Sequence, residues 1–205
     1  MTTEPTRHRP PPVEYFPPRN TVSMDELLQT LTRVVNSLTH AEIPFAVAGG
    51  CAVYARGGPP SGHDVDIFLR RSDVAPALAV LQQNGMRRVD PPEDWLVKAY
   101  DGDILVDLIF SASGREITDE LLARAPRMRI GSAHAPVVTA TDLMIDKLNV
   151  LDAHRCDFVP MLQIARDLRE QVDWSEVADK TESSPYARAF LGLLDDLSIA
   201  SPKSS

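Results

Sequence analysis

Four groups of residues in this chain have types and spacings that could do chemistry. The first is His63-Asp64-Val65-Asp66-Ile67-Phe68-Leu69, which sets Asp64 and Asp66 two positions apart in a run with strand character. Alternate residues of a strand share a face, so both carboxylates point the same way. Like charges side by side repel, and aspartate is disfavoured in strands. A divalent cation removes the repulsion, and paired hard oxygen donors suit Mg²⁺ shared with phosphate oxygens. A solvated strand end is the competing explanation, and the D-x-D spacing alone does not choose between them. The second is Asp107, inside Ile104-Leu105-Val106-Asp107-Leu108-Ile109-Phe110. A carboxylate among six apolar residues is costly unless it has a metal, a cationic partner or a shifted pKa, or unless the strand's second face is exposed. Asp103, in the adjoining turn, is a solvated position.

The third is Gly49-Gly50, which follows the apolar run Phe45-Ala46-Val47-Ala48 and opens a short helical stretch. Glycines there let a phosphate approach the backbone, and a helix N-terminus supplies N–H groups and positive potential. Taken alone, such a pair is a turn. The fourth is Lys147, in Asp142-Leu143-Met144-Ile145-Asp146-Lys147-Leu148, beside an apolar stripe of Leu143, Met144 and Leu148. It is either a surface lysine or a point charge that reaches a phosphate group.

These residues need elements to hold them. Ser23-Met24-Asp25-Glu26 has the form of a capping box. Leu27, Leu28, Leu31, Val34, Val35 and Leu38 then recur at helical spacing. Strands are predicted at 45–48, 65–69, 86–89, 96–100 and 104–110, with shorter ones at 128–130 and 136–138. Asp101-Gly102 signals a hairpin. Ser72 is read as the cap of a helix reaching Gln83, and 118–125 as a further helix. After Thr141 the pattern becomes wholly helical, at 142–152, 158–170, 174–181 and 185–197. Ser184-Pro185 is a good start for the last of these. The layout is an α/β core over 23–138 followed by a helical C-terminal subdomain over 139–199. Residues 1–22, with six of the seventeen prolines, read as a disordered tail, and 200–205 as another.

Composition bounds the function. The 205 residues suit one domain with an appendage, and the 43% hydrophobic and 24% charged content is that of a soluble globular protein. No apolar run approaches the ~18–20 residues of a membrane span, and the first twenty residues have no apolar segment of a secretory signal. Cys51 and Cys156 give no disulfide framework and no paired zinc spacing, which favours a reducing cytoplasm. The net charge of −8 argues against a broad basic nucleic-acid face.

Strand, Gly-Gly, short helix, a gap of thirteen residues (51–63), Asp-x-Asp, then a third Asp in a later apolar strand is an order that resembles the DNA polymerase β nucleotidyltransferase superfamily. Val138 to Leu148 is similar to the "DLLxxKL" helix of small stand-alone bacterial members, and Arg155-Cys156-Asp157 to the R-x-D element that follows it there. Those members include the AbiEii-type and MenT-type toxins. The resemblance covers roughly residues 25–170. It departs where the toxin-like pattern has Arg and Thr/Ser four and two residues before the first Asp. Pro60 and Gly62 stand there, with Ser61 one residue out of step as a substitute.

The resemblance implies an α/β fold, with a polymerase β-like mixed twisted sheet, flanking helices and a helical C-terminal part. It implies transfer of a nucleoside monophosphate from an NTP to an acceptor hydroxyl, with release of pyrophosphate. Asp64, Asp66 and Asp107 would be catalytic and hold two Mg²⁺ (or Mn²⁺) ions, Asp107 also helping to take the hydroxyl proton. Gly49, Gly50, Ser61 and Lys147 would contact the NTP. The toxin branch implies a tRNA acceptor and a cognate antitoxin partner. Arg87, Arg88, Arg124, Arg127, Arg129, Arg166 and Arg169 could form a local RNA track or be scattered surface arginines. A small-molecule acceptor of the antibiotic type, a protein hydroxyl, and a degenerate partner-binding protein stay open beside it. Trp95 could line the acceptor or nucleotide cleft, and no membrane partner is expected.

Overall fold

The computed structural model describes residues 23–60, 63–89 and 93–201. The proline-rich segment 1–22, Ser61, Gly62 and the last four residues lie outside that range.

Helix α1 (Met24–His40) begins at the expected capping box. Glu26 N–H donates to Ser23 Oγ at 3.2 Å, and Ser23 N–H donates to the Glu26 carboxylate at 3.0 Å. Its buried stripe of Leu27, Leu31, Val34, Val35 and Leu38 lies over the sheet. Strand β1 (Ala46–Val47) leads into α2 (Gly49–Ala55), and β2 (Asp64–Phe68) follows. One difference from the sequence reading comes next. Arg71–Asp73 form a single 3₁₀ turn, and α3 (Val74–Gln83) starts after it with Asp73 at the cap position. Asp73 makes no side-chain cap bond, because its carboxylate is taken by Arg70 Nε at 2.6 Å. Ser72 is therefore inside the turn rather than the cap.

Strands β3 (Arg87–Val89), β4 (Leu96–Asp101) and β5 (Ile104–Ile109) complete a five-stranded sheet of order β1-β2-β5-β4-β3. β2 and β5 are parallel and the other pairs antiparallel, so the sheet is mixed. In the β4–β5 hairpin Asp101 pairs with Ile104, so the loop is Gly102-Asp103, one position later than expected, with Gly102 at φ +61°. Asp101 stays in the strand, where Thr30 Oγ1 donates to it at 2.9 Å and Arg33 pairs with it. Asp103 is exposed.

Two small hairpins were not foreseen as such. β6 (Ser111–Ala112) pairs with β7 (Arg115–Glu116) directly after β5. Helix α4 (Asp119–Ala123) is capped by Thr118, and then β8 (Arg127–Ile130) pairs with β9 (Ala133–Pro136). The strand expected at 136–138 is thus shifted back, with Val137 making only an isolated bridge to Val47. The chain then becomes helical as its periodicity indicated: α5 (Ala140–Asn149), α6 (Phe158–Leu168), α7 (Trp174–Lys180) and α8 (Pro185–Asp196). One buried apolar cluster extends from Leu27 on α1 to Leu194 on α8 and joins the sheet to these helices. Among the described residues, no helix is long and apolar enough to cross a membrane.

Candidate active site

The parallel register of β2 and β5 sets Asp66 directly opposite Asp107, while Asp64 lies two residues before Asp66 on the same face. One oxygen from each of the three carboxylates lies within 4.8 Å of the others. Asp107 is only 6% exposed, and Asp64 and Asp66 are half-buried. Three like charges so close, one buried and two half-buried, resist ionisation. Burial first, then Asp64 and Asp107, push the Asp66 carboxyl up to about 7. Burial also raises Asp107, opposed by an ion pair with Lys98. Such a cluster carries more negative charge than its protein neighbours cancel. All its donors are hard oxygens, and it fits one or more divalent cations.

Gly49 has two reasons to be glycine. Its φ of +55° is strained for any L side chain, and a Cβ there would lie 1.6 Å from Asp66 Oδ2. The start of α2 therefore packs its bare backbone against the carboxylate of β2. Ala48 N–H donates to the Asp66 carbonyl at 2.9 Å and fixes this approach. Gly50 is the second residue of α2, whose cap residue, Ala48, has no side-chain oxygen to offer. The sequence alone suggested room for a phosphate; the structure adds room for Asp66 itself.

A cleft of about 560 Å³ opens beside the triad, lined by Gly49, Asp66 and, from α5, Lys147. Burial lowers the Lys147 pKa, and the attraction of Asp66, Asp64 and Asp146 opposes that shift. Its ammonium therefore lies in the field of the carboxylates rather than on an open surface. Much of the remaining lining is apolar, from Phe68, Ile109, Leu143 and Val150, with Trp95 42% exposed at the rim and Arg155 also lining it. Trp95 does line the cleft, and Arg155, read from the sequence only as part of a motif, joins it.

Helix α5 is held by an ionic network that sequence reasoning missed. Asp142, 2% exposed, accepts from Thr139 Oγ1 at 2.7 Å, from Arg124 Nε at 2.8 Å and from Arg115 Nη1 at 3.3 Å. Arg115 Nη2 also reaches Asp146 at 2.8 Å. These contacts fasten the helix carrying Lys147 to α4 and to the β6–β7 hairpin. Arg124 is therefore a tether of α5 and not a free member of an RNA track. Arg127 and Arg129 donate to the carbonyls of His134 and Gly131, and Arg169 pairs with Glu170. Cys156 is exposed and not part of the core. Cys51 is buried with its thiol pushed up to about 12, chiefly by burial, so it is no nucleophile. Trp174 is buried, and His63 is exposed. The NTP contact assigned to Ser61 lies outside the described residues.

The structure thus brings together Asp64, Asp66, Asp107, Gly49 and Lys147, with Gly50 at the same helix start. Comparison with family models and with curated proteins gives no match. Solved structures do match. The antibiotic-resistance factor ANT(2'')-Ia superposes with a TM-score of 0.57 at 17% identity, over 86% of this chain and 97% of that one. A crystal structure of the same factor holds adenylyl-2''-tobramycin. The lincosamide antibiotic adenylyltransferase LnuA, solved with lincomycin, gives 0.52 at 12% identity, over 75% of this chain and all of that one. An antigenic nucleotidyltransferase-like protein from Paracoccidioides brasiliensis gives 0.53 at 20% identity, over 90% and 97%. The fold is that of the polymerase β-like nucleotidyltransferases, with a central mixed sheet and flanking helices.

Proposed function

We propose that this protein is a metal-dependent nucleotidyltransferase that moves a nucleoside monophosphate from an NTP to a hydroxyl of a small-molecule acceptor and releases pyrophosphate. The observation that carries it is the row of Asp64, Asp66 and Asp107 on two parallel strands, with the backbone of Gly49 packed against Asp66.

Asp64, Asp66 and Asp107 would hold Mg²⁺ or Mn²⁺, which neutralise the triphosphate and make the acceptor hydroxyl more acidic. Gly49 and Gly50 expose backbone to the phosphates, and Lys147 adds a positive charge from the facing helix. Burial and the neighbouring carboxylates raise the Asp66 pKa to about 7, and a cation bound there would favour its charged form. Removing any of the three carboxylates is expected to lower the rate by about 10²-fold or more, the usual size of a preorganised electrostatic contribution.

Three observations favour a small acceptor. ANT(2'')-Ia and LnuA act on antibiotics, and this chain spans nearly all or all of their length. The cleft has the size and the apolar walls of a small-molecule site. The net charge of −8, with Arg124, Arg127, Arg129 and Arg169 in local contacts, gives a polynucleotide little to hold. The tRNA acceptor and antitoxin partner implied by the toxin-like resemblance have no comparable support, and tRNA becomes an arm of the test. The protein is incubated with Mg²⁺ and each of four α-labelled NTPs, ATP first. A panel of hydroxyl-bearing small molecules or total bacterial tRNA is added. Label on a small molecule is expected. Label on tRNA alone would overturn the choice of acceptor, and transfer to nothing would overturn the enzymatic reading.

A further inference from the structure

Lys98 is a residue that neither the motif nor the resemblance pointed to. On β4 it is the register partner of Asp107, which is in turn the partner of Asp66 on β2. The three side chains therefore form a row across neighbouring strands on one face of the sheet. The Lys98 ammonium donates to both Asp107 oxygens, at 3.2 and 3.1 Å. Its side chain is 21% exposed, so solvent and ions reach it. Among the described residues Asp64 and Asp66 make no ion pair, with Lys147 and Lys98 acting on Asp66 from a distance, while Asp107 already carries a cation supplied by the chain.

On the basis of the nucleotidyltransferase reading, we propose that Lys98 is a positioning residue, a built-in counter-cation that competes with the divalent metal for Asp107. The competition follows from charge and space. Lys98 takes up an acceptor site on each Asp107 oxygen and sets its own positive charge beside any divalent ion held there, so Asp107 ligates the ion more strongly once the ammonium withdraws. Lys98 has a flexible four-carbon stem and three donors, and withdrawal needs another anion to receive it. A triphosphate in the cleft is such an anion. Asp64 and Asp66 therefore hold the ion that binds without nucleotide, and Asp107 joins once nucleotide is present. The device keeps the triad from being fully loaded with metal in the absence of substrate.

The test uses the full chain and Mn²⁺ as probe, with binding followed by electron paramagnetic resonance or calorimetry. Lys98→Met and Lys98→Gln are compared with wild type, with circular dichroism melts as a check on folding. Without nucleotide, both variants are expected to bind Mn²⁺ at least about tenfold more tightly, or to take up an additional ion, because a repelling charge beside the ligand is gone. With an ATP analogue that cannot be cleaved between the α- and β-phosphates, wild type and variants are expected to converge. Lys98→Arg keeps the charge and is expected to resemble wild type. In an Asp107→Asn background, Lys98→Met should change nothing further. Unchanged or weaker Mn²⁺ binding in both neutral variants, with wild type binding normally, overturns the role of Lys98 alone. Failure of the wild-type chain to bind Mn²⁺ at all, with or without the analogue, overturns the nucleotidyltransferase reading as well.

Discussion

Gly49→Ala tests the packing of the site most sharply. The new Cβ would lie 1.6 Å from Asp66 Oδ2, 2.5 Å from its Cγ and 2.9 Å from its Cβ. Ordinary carbon–oxygen contact begins above 3 Å, so the carboxylate must retreat by about 1.5 Å or the start of α2 must lift by a similar amount. A rotamer change alone does not clear the contact with the Asp66 Cβ, which is fixed by β2. A misplacement of about 1 Å in a reacting constellation costs on the order of 10²-fold in rate. The backbone adds a second penalty, because φ of +55° costs an L residue roughly 1–2 kcal/mol. Gly57→Ala separates the two effects. Its φ is +91°, but a Cβ there meets nothing within 4 Å. Both variants are expected to lose stability in urea unfolding, Gly49→Ala by more, because its clash with Asp66 adds to the backbone strain. Only Gly49→Ala is expected to lose kcat/KM by about 10²-fold and to weaken Mn²⁺ binding. Gly49→Ala with wild-type turnover and metal affinity would refute the reasoning that the glycine exists to admit the Asp66 carboxylate.

Other expectations follow from the same geometry. Asp66→Asn should abolish transfer yet raise the metal-free Tm. An acid whose folded pKa is raised from 3.8 to about 7 binds more protons when folded, so stability falls as pH rises through that window. The gain in Tm should therefore be larger at pH 8 than at pH 5, as scanning calorimetry will show. Asp142→Ala leaves Arg115 and Arg124 without their shared acceptor. Because both arginines are partly exposed, the cost should be roughly 2–3 kcal/mol rather than that of a fully buried pair, measured by urea unfolding. Trp95→Ala removes the exposed aromatic rim of the cleft. It should raise a substrate KM about tenfold while leaving Mn²⁺ affinity unchanged, as initial-rate kinetics and titration can establish.

The parts of the site that could be read from the chain were those in which a residue contradicts its surroundings. Asp107 amid six apolar residues and the Asp64–Asp66 pair in a strand announced themselves by their cost. The long helices followed from 3.6-residue periodicity, and the capping box of α1 from four consecutive residues. What escaped depended on register and tertiary contact. Nothing local to Lys98 marks it as the partner of Asp107; only the antiparallel pairing of β4 with β5 does. Asp142 meets Arg115 and Arg124 across 27 and 18 residues, and no spacing rule links them. The β6–β7 hairpin has two-residue strands, too short for a period-two signal. Ser72 lost its capping role because a 3₁₀ turn precedes α3, and Arg70 holds Asp73 away from the helix N–H groups.

The most direct test of the central claim is pyrophosphate release coupled to label transfer. The full chain is incubated with each of the four α-labelled NTPs in turn and a panel of hydroxyl-bearing acceptors, with Mg²⁺ or with chelator, and wild type is compared with Asp64→Asn. Equal amounts of pyrophosphate and labelled acceptor, lost with chelator and in the variant, are the expected result. Absence of transfer for every NTP and acceptor, or transfer that survives in Asp64→Asn, would contradict the assignment of the carboxylate row as the catalytic centre.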